Sequence, residues 1–245
     1  MTGDEIVTLS RKHTISEWAA QGAVDPIPVA RAEGVYFWTP EGKRFIDFNS
    51  QLMCVNIGHG DPRVVHAIQR QAEALCYVTP GWMTTEPRAR LGAKLAEIAP
   101  GDINVFFFTN GGAEANENAI KIARAYTGRP KILSRYRSYH GATAAAMAAT
   151  GEPRSWSQPP MPGFVHVLDP YHGVQRGWDT TEEALRHLEE VIQLEGPQTI
   201  AGFILESVTE TNGILVPPDG YMQGVRALCD KYGILMIADE VMSGF

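Results

Sequence analysis

An apolar run near the end of the chain leads directly into two acidic residues. The run ILMIAD (234–239) predicts a buried strand, with Asp239 and Glu240 at the point where it ends. Neighbouring residues of a strand point to opposite faces, so one carboxylate can face a ligand while the other meets a helix or solvent. Either acid, taken singly, is more often a solvated strand end or a helix cap.

A glycine pair also follows an apolar run. The run VFFFT (105–109) precedes Gly111 and Gly112, and a helical pattern begins directly after them. Glycine lets the backbone turn sharply and approach a ligand closely, and the unpaired N–H groups at a helix N-terminus bind phosphate. The simpler alternative is a tight connection with no ligand. The P-loop and dinucleotide-binding glycine patterns are both absent.

Tyr139 and Glu206 stand after two further runs. KILS (131–134) leads to Tyr139 through a short loop, and IAGFILE (200–206) ends on Glu206. An aromatic ring at such a position can stack on a flat ligand, although a lone aromatic more commonly covers the end of the sheet. Glu206 is open to the same alternatives as the other acids.

The positions of these residues depend on a regular alternation of elements from residue 104 onward. Apolar runs over 105–109, 131–134, 164–168, 200–206 and 234–239 alternate with helical patterns over 113–127, 141–149, 180–194 and 219–232. Strands this apolar are typical of a mostly parallel sheet with helices on both faces. Such sheets bind ligands beyond the carboxyl ends of their strands. The sequence therefore predicts an α/β fold that brings the candidate residues to one edge.

The first hundred residues have a different pattern. VYFWTPEGKRFIDF (35–48) alternates around a Pro-Glu-Gly turn and predicts a hairpin. A helix is predicted to begin after Asp61, which can cap it, with Pro62 in its first position. A second helix, within TEPRARLGAKLAEIAPG (85–101), is predicted to end before the Pro-Gly pair.

Composition excludes several classes of partner. The chain has 245 residues, a formal net charge of −7 and no block of Lys or Arg, which argues against nucleic acid and anionic membranes. No run is long and apolar enough for a membrane span or a signal peptide. Three separated cysteines and no HExxH motif argue against a metal site. These features predict a cytoplasmic protein that binds small molecules.

The four strand ends together indicate one kind of ligand. They offer a phosphate cradle, an aromatic plate and two carboxylates, which fit a flat ring that carries a phosphate and a basic nitrogen. A carboxylate beside a pyridine nitrogen keeps that nitrogen protonated and makes the ring an electron sink. Pyridoxal 5′-phosphate works in this way, and we expect it as the cofactor.

At these residues the chain resembles the class III, or ω-amino acid type, pyridoxal-phosphate aminotransferases of fold type I. The matching stretches lie in the order and at the spacing of that family. They are GVYFWTPEGKRFIDF, TNGGAEANENAIKIARAYTGRPKIL, YHGATAAAMAATG and AGFILESVTETNGILVPPDGYMQGVRALCDKYGILMIADEVMSGF. The sequences of these stretches are most similar to those of the taurine–pyruvate and β-alanine–pyruvate aminotransferases of the family.

The resemblance implies roles for the turn and the aromatic. Gly112 and Ala113 would bind the cofactor phosphate through backbone N–H groups, and Tyr139 would lie on one face of the pyridine ring. The family often has Ser or Thr in place of Ala113, so one hydroxyl contact is missing here.

The resemblance also implies roles for the residues after the last two strands. Asp239 would pair with the pyridine nitrogen, and Val241 would pack on the other face of the ring. Glu206 would lie behind them, near the ring hydroxyl and Asp239.

Substrate residues follow from the same resemblance. Met53 stands where related enzymes often place a Trp that faces the substrate, and Trp82 borders the same pocket; for both, plain core packing is an equal alternative. Many members have a second Glu where this chain has Thr211, and that Glu can pair with an arginine that gates the substrate pocket. Its absence favours pyruvate over 2-oxoglutarate as the acceptor.

The family's catalytic Schiff-base lysine follows the aspartate by a further strand, and no lysine of this chain stands there. We therefore expect an incomplete sequence, inactive alone, with an N-terminal segment over 1–55 and a truncated cofactor-binding domain over 56–245. The complete protein is expected to be a homodimer that transfers an amino group from an ω-amino acid or amine to a 2-oxo acid. The alternatives are a mutase or decarboxylase relative, or a non-catalytic protein that binds the cofactor.

Overall fold

The computed structural model describes residues 1–159, 161–171 and 180–244. These residues divide into two compact units, Met1–Asn104 and a second that begins at Val105. Each unit is described separately below. Among the described residues, no helix combines the length and the apolar character that crossing a bilayer requires.

The N-terminal unit begins with helix α1 (Gly3–His13), which a capping box starts. A three-stranded antiparallel sheet follows, in the order β1 (Arg31–Glu33), β2 (Tyr36–Trp38) and β3 (Arg44–Ile46). The predicted hairpin is confirmed, because β2 pairs with β3 across the Pro-Glu-Gly turn. Strand β1 was not predicted from the sequence.

A short turn, α2 (Ser50–Met53), precedes the two predicted helices of this unit. All four of its residues have φ angles between 50° and 60°, so the turn is left-handed. A left-handed conformation costs a non-glycine residue about 1–2 kcal/mol because Cβ approaches the following carbonyl. The strain of this segment is therefore distributed over four consecutive side chains.

Helices α3 (Pro62–Ala74) and α4 (Glu86–Ile98) confirm the predicted pair. Asp61 caps α3 as expected, since its Oδ1 accepts a hydrogen bond of 2.9 Å from the Arg63 backbone N–H. Neither helix has a fully buried residue within this chain. Val64, Val65 and Ile68, which share one face of α3, are exposed within this chain.

The second unit alternates helices and parallel strands. Its elements are α5 (Gly112–Thr127), β4 (Lys131–Arg135), α6 (Ala144–Ala149), β5 (Phe164–Val167), α7 (Thr181–Glu195), β6 (Ile200–Glu206), α8 (Tyr221–Tyr232) and β7 (Leu235–Asp239). The four strands form one parallel sheet in the order β5-β4-β6-β7. This arrangement confirms the predicted α/β class.

Helices cover both faces of this sheet. On one face, α7 and α8 pack against a cluster that includes Leu133, Phe203 and Leu205. On the other, α5 and α6 pack against Ile132 and Ile204. Every residue of β6 is buried, and each large apolar side chain buried there stabilises the fold by about 1.5–3 kcal/mol. Alternate residues of the central strands thus pack against the helices on opposite faces of the sheet.

One predicted strand is wrong. Residues 105–109 have no strand assignment, and none of the described strands pairs with them. Val105 is 86% exposed and Phe107 is 66% exposed. A strand needs a neighbour to accept and donate its backbone hydrogen bonds, so the apolar composition of VFFFT alone does not place it in the sheet.

Candidate active site

The carboxyl ends of the two adjacent strands β6 and β7 define the site. Glu206 and Asp239 are the last residues of these strands and are register partners in the sheet. The loop that follows β4, with Tyr139 and His140, reaches the same end of the sheet. Parallel topology brings these residues together because all the strands end at one edge.

Asp239 is held by three donors. It is only 7% exposed, and its Oδ2 accepts hydrogen bonds of 2.8 Å from Asn116 Nδ2 and of 2.8 Å from His140 Nδ1. Its Oδ1 accepts a bond of 3.2 Å from the Val241 backbone N–H. The neighbouring Glu240 is exposed. The two acids therefore differ as the strand alternation predicts, one facing inward and one facing solvent.

The environment of Asp239 favours its ionised form. Burial by itself raises the pKa of this carboxyl, but the hydrogen bond and the charge of His140 oppose burial, with further help from Asn116 and the Val241 N–H. The net result is a pKa below the ordinary value for aspartate. A buried carboxylate that stays ionised is suited to hold a cationic N–H group of a ligand.

The glycine turn lies directly against the segment after β7. A Cβ added to Gly112 would come within 2.5 Å of Val241 Cγ2. A Cβ added to Gly141 would likewise come within 2.5 Å of Ala113 Cβ, and the φ of Gly141 is +131°. Close backbone approach therefore requires glycine at both positions. Helix α5 begins at this turn, and Gly111, its N-cap residue, has no side chain that could accept from the first N–H groups.

Glu206 holds the backbone of the Tyr139 loop. Its Oε1 accepts a hydrogen bond of 2.8 Å from the Tyr139 N–H, and its Oε2 accepts one of 3.1 Å from the Glu210 N–H. Burial raises the pKa of this carboxyl, and the two N–H donors only partly offset that effect. Arg135, itself buried, donates to the Glu206 carbonyl over 2.7 Å. Glu206 thus positions the main chain next to Tyr139.

The structure adds residues that the sequence analysis did not assign to the site. Asn116 donates both to Asp239 and, over 2.8 Å, to the carbonyl of His140. His140 contacts both residues, and its side chain is fully buried. One signal was available for each: Asn116 follows Gly112 by one helical turn, and His140 directly follows Tyr139. A polar side chain on the inward face of a buried helix needs a partner.

The two predicted substrate residues belong to the N-terminal unit. Met53 ends the left-handed turn α2 and is partly exposed, and Trp82 is 80% exposed. A concavity of about 280 Å³ in this unit is lined by residues from Gln71 to Arg88. Neither Met53 nor Trp82 is among its lining residues. Their role in substrate binding stays a prediction.

All six lysines lie among the described residues and none stands at a carboxyl end of the parallel sheet. Lys12, Lys43 and Lys94 belong to the N-terminal unit. Lys121 is exposed on α5. Lys131 starts β4 and pairs with Glu195 at 2.7 Å, and Lys231, on α8, pairs with Glu189 at 2.6 Å.

The residues present fit a phosphate-bearing pyridine. An ionised, buried carboxylate can hold a protonated ring nitrogen, and an uncapped helix start can hold a phosphate. Gly112, at this helix start, lies against Val241, which follows that carboxylate by two residues. Tyr139 supplies an aromatic ring from the neighbouring loop. The donor set therefore agrees with the cofactor expected from the sequence.

Comparison with known proteins places these observations in a family. The profile of the family described as aminotransferase class-III matches residues 18–245. An uncharacterised aminotransferase of Bacillus subtilis, YhxA, is 39% identical over 239 residues, covering 93% of this chain and 52% of the relative. A hypotaurine/taurine–pyruvate aminotransferase of Paracoccus denitrificans is 36% identical over 247 residues, covering 95% and 52%.

One solved structure is similar to this chain in fold and sequence. The taurine:2-oxoglutarate aminotransferase of Bifidobacterium kashiwanohense, in complex with PLP and glutamate, superposes with a TM-score of 0.93 at 45% identity, covering 100% of this chain and 57% of that one. The chain thus spans about half the length of the curated relatives it matches. It belongs to the class III aminotransferases, pyridoxal 5′-phosphate enzymes of fold type I.

Proposed function

We propose that the complete protein transfers an amino group from an ω-amino acid or amine to a 2-oxo acid, with pyruvate as the acceptor. The observation that carries the proposal is the buried carboxylate of Asp239. It is held ionised by Asn116 and His140 at the end of β7, next to the glycine turn that starts α5. Family membership supplies the reaction class.

Each residue of the site has a proposed task. Asp239 binds the protonated ring nitrogen, and the backbone N–H groups of Gly112 and Ala113 bind the phosphate. Tyr139 and Val241 lie on the two faces of the ring. When bound, pyridoxal 5′-phosphate supplies an electron sink for the carbon from which a proton is removed. The contact between Gly112 and Val241 supports this arrangement, because it brings the phosphate cradle and one ring face together.

Glu206 acts through the main chain in this proposal. By accepting from the Tyr139 N–H, its carboxylate fixes the loop that carries the aromatic ring. Arg135, which donates to the Glu206 carbonyl and over 2.9 Å to the Thr209 hydroxyl, fixes Glu206 in turn. Both contacts orient the site and neither moves a proton.

We further infer that residues 1–245 alone do not catalyse the reaction. Aminotransferase chemistry needs a basic side chain near the cofactor to move the proton. Lys131 and Lys231 are engaged in ion pairs, and Lys131 stands at the opposite end of β4 from the site. The catalytic lysine in this proposal is therefore not one of the six in this chain.

The choice of acceptor depends on Thr211. A threonine offers no carboxylate to pair with a gating arginine. The pocket therefore lacks one ion pair that could select 2-oxoglutarate. The superposed enzyme from Bifidobacterium kashiwanohense is named for 2-oxoglutarate, and the relative from Paracoccus denitrificans for pyruvate. Both names also include taurine, which supports an ω-amino acid as the donor.

The test uses the product of the complete coding sequence. It is incubated with taurine, β-alanine or 4-aminobutyrate, and with pyruvate or 2-oxoglutarate in parallel, and alanine and glutamate are quantified. We expect alanine from pyruvate with at least one donor, and no product from residues 1–245 alone. Glutamate as the main product would contradict the acceptor. Conversion of the donor without any oxo acid would favour a mutase or decarboxylase. Binding of the cofactor without turnover would favour a non-catalytic protein.

A further inference from the structure

A cation lies over the aromatic ring proposed to stack on the cofactor. The Arg154 guanidinium carbon is 4.1 Å from the centroid of the Tyr139 ring. Arg154 belongs to a short 3-10 turn, Pro153–Ser155, which follows α6. A guanidinium at this distance from an aromatic face is attracted by the electron density of the ring. No motif in the sequence pointed to this pair.

The guanidinium is itself oriented. Its Nε donates to Glu152 Oε1 in an ion pair. The Glu152 side chain is only 11% exposed, so solvent screens the pair less than it would screen a surface pair. A planar guanidinium held at one nitrogen keeps a defined plane with which to stack on the ring.

The segment that carries Arg154 is fixed to the Tyr139 loop. A Cβ added to Gly151 would lie 2.3 Å from the Arg135 carbonyl oxygen and 2.4 Å from that of Tyr136, so the two backbones are in direct contact. The Gly151 N–H also donates to the Ser138 carbonyl over 3.2 Å. The stacking is therefore built into the packing of two adjacent segments.

We infer that Arg154 is a positioning residue for Tyr139, oriented by Glu152. Glu206 fixes the main chain of Tyr139, and Arg154 fixes its ring. The guanidinium occupies one face of the ring, so a flat cofactor stacks on the opposite face. This inference rests on the proposed function, because it needs Tyr139 to contact the pyridoxal ring.

The contact with Arg154 would hold the Tyr139 ring in its binding orientation before the cofactor arrives. A partly exposed tyrosine has two side-chain torsions, and ordering them on binding lowers affinity. A ring already held by a cation avoids that loss. Removal of an exposed to partly buried cation–π contact corresponds to a binding loss of about 3- to 10-fold.

The test is a double-mutant cycle on the product of the complete coding sequence. The dissociation constant for pyridoxal phosphate and the visible circular dichroism of the bound cofactor are measured for Arg154→Gln, Tyr139→Leu and the double variant. Arg154→Gln is expected to weaken binding about 3- to 10-fold and to alter the dichroism. In the Tyr139→Leu background the same change should have no effect, because Arg154 acts only through the ring.

Three further variants keep the result interpretable. Arg154→Lys retains a cation and should fall between the unaltered protein and Arg154→Gln. Glu152→Gln leaves the guanidinium in place but removes its orienting charge, so it should weaken binding even if Arg154→Gln fails to fold. Arg226→Gln, which breaks an exposed ion pair with Asp230 elsewhere on the surface, is the matched control and should change nothing.

The outcomes separate the two proposals. Normal binding by the unaltered protein with no effect of Arg154→Gln overturns the positioning role alone. Equal losses in the presence and absence of the Tyr139 ring also overturn it, since they mean that Arg154 contacts the ligand directly. No binding by the unaltered protein overturns both this inference and the proposed function.

Discussion

Asp239 and Glu240 are adjacent acids with different chemistry. Asp239 points into the sheet, where Asn116 and His140 both donate to one of its oxygens. Glu240 is exposed, and its carboxylate accepts a hydrogen bond of 3.2 Å from the Ser207 hydroxyl. Strand alternation explains which carboxylate is buried. The donors around it explain why burial does not neutralise it.

Replacement of Asp239 by Asn is expected to destabilise the chain by about 1–3 kcal/mol. The Asn side chain has one oxygen, which can accept from His140 and Asn116, so its NH₂ group then faces the Val241 N–H. Urea unfolding measures the loss. Glu240→Gln, which makes the same change on the exposed neighbour, should stay within about 0.5 kcal/mol. Equal losses for the two variants would contradict the assigned burial.

The pH dependence of unfolding follows from the lowered pKa of Asp239. A carboxyl whose pKa is lower in the folded state contributes stability above its unfolded pKa of about 3.9, and this stability is lost as pH falls through the folded value. The difference in unfolding free energy between the unaltered chain and Asp239→Asn should therefore shrink as the pH falls below about 5.

Glu206 has the opposite shift, because its pKa is raised in the folded state. Its contribution grows as pH falls, but it is the same in both proteins and cancels in the difference. Urea unfolding at a series of pH values between about 3 and 7 measures the effect. A difference that widens as pH falls would mean that the pKa of Asp239 is raised.

At the scale of elements, the start of α5 depends on one missing Cβ. Gly112→Ala places that atom 2.5 Å from Val241 Cγ2, and the stiff β-branched side chain must rotate away. We expect a loss of about 1–2 kcal/mol in unfolding free energy. Val241→Ala in the same chain should recover most of it, because the colliding methyl group is then absent.

Gly111→Ala is the matched control for this prediction. No atom lies within 4 Å of a Cβ at Gly111, and its φ of −170° is extended backbone that any residue adopts. Its cost should not exceed about 0.5 kcal/mol. If both glycine variants lose the same stability, the contact between Gly112 and Val241 is not what limits the turn.

The left-handed turn α2 predicts an unusual effect of glycine. Leu52, with φ 55°, is 50% exposed, and Leu91, in the right-handed helix α4, is 48% exposed. Leu→Gly removes similar apolar area at both sites, but it relieves about 1–2 kcal/mol of strain at Leu52 and costs up to about 1 kcal/mol of helix propensity at Leu91.

Leu52→Gly should therefore be less destabilising than Leu91→Gly by about 2 kcal/mol. Thermal and urea unfolding of the two variants measure the difference. A larger loss at Leu52 would mean that its side chain contributes more by packing than its backbone costs.

Strands and helices whose sequence pattern matches the packing they find in the structure could be predicted from the sequence. The run 200–206 became the buried strand β6, and Asp61 and Pro62 started α3 as their side-chain chemistry requires. Residues 105–109 are as apolar as these strands, yet they are not a strand, because pairing depends on a neighbour that composition does not reveal. The left-handed turn had no glycine to signal it.

The site was predicted in part for the same reason. Asp239 and Glu206 end strands β7 and β6, and Tyr139 follows β4 through a short loop; the alternation of apolar runs and helical patterns identifies these positions. Gly112 follows a run that is not a strand, and the glycine pair before a helix identified it instead. Asn116 and Arg154 reach the site from within a helix and from a later loop. Their contacts depend on how α5 and the turn after α6 pack, and periodicity does not give that information.

At the scale of the whole molecule, much apolar surface is exposed. Val105 and Phe107 face solvent in a segment that has no strand assignment, and β7 has a neighbouring strand on one side only among the described residues. Exposed apolar segments and open strand edges favour association between molecules. We therefore expect residues 1–245 to self-associate at micromolar concentrations or above.

Phe107→Ser should reduce this association without loss of stability. The side chain is 66% exposed, so its removal takes little apolar area out of the folded chain and much from the surface available to a second molecule. Phe203→Ser changes the same residue type within the sheet core and should cost about 3 kcal/mol or more. Sedimentation velocity measures association, and urea unfolding measures stability. If Phe107→Ser destabilises as much as Phe203→Ser, residues 105–109 are packed within the chain, and the exposed surface must lie elsewhere.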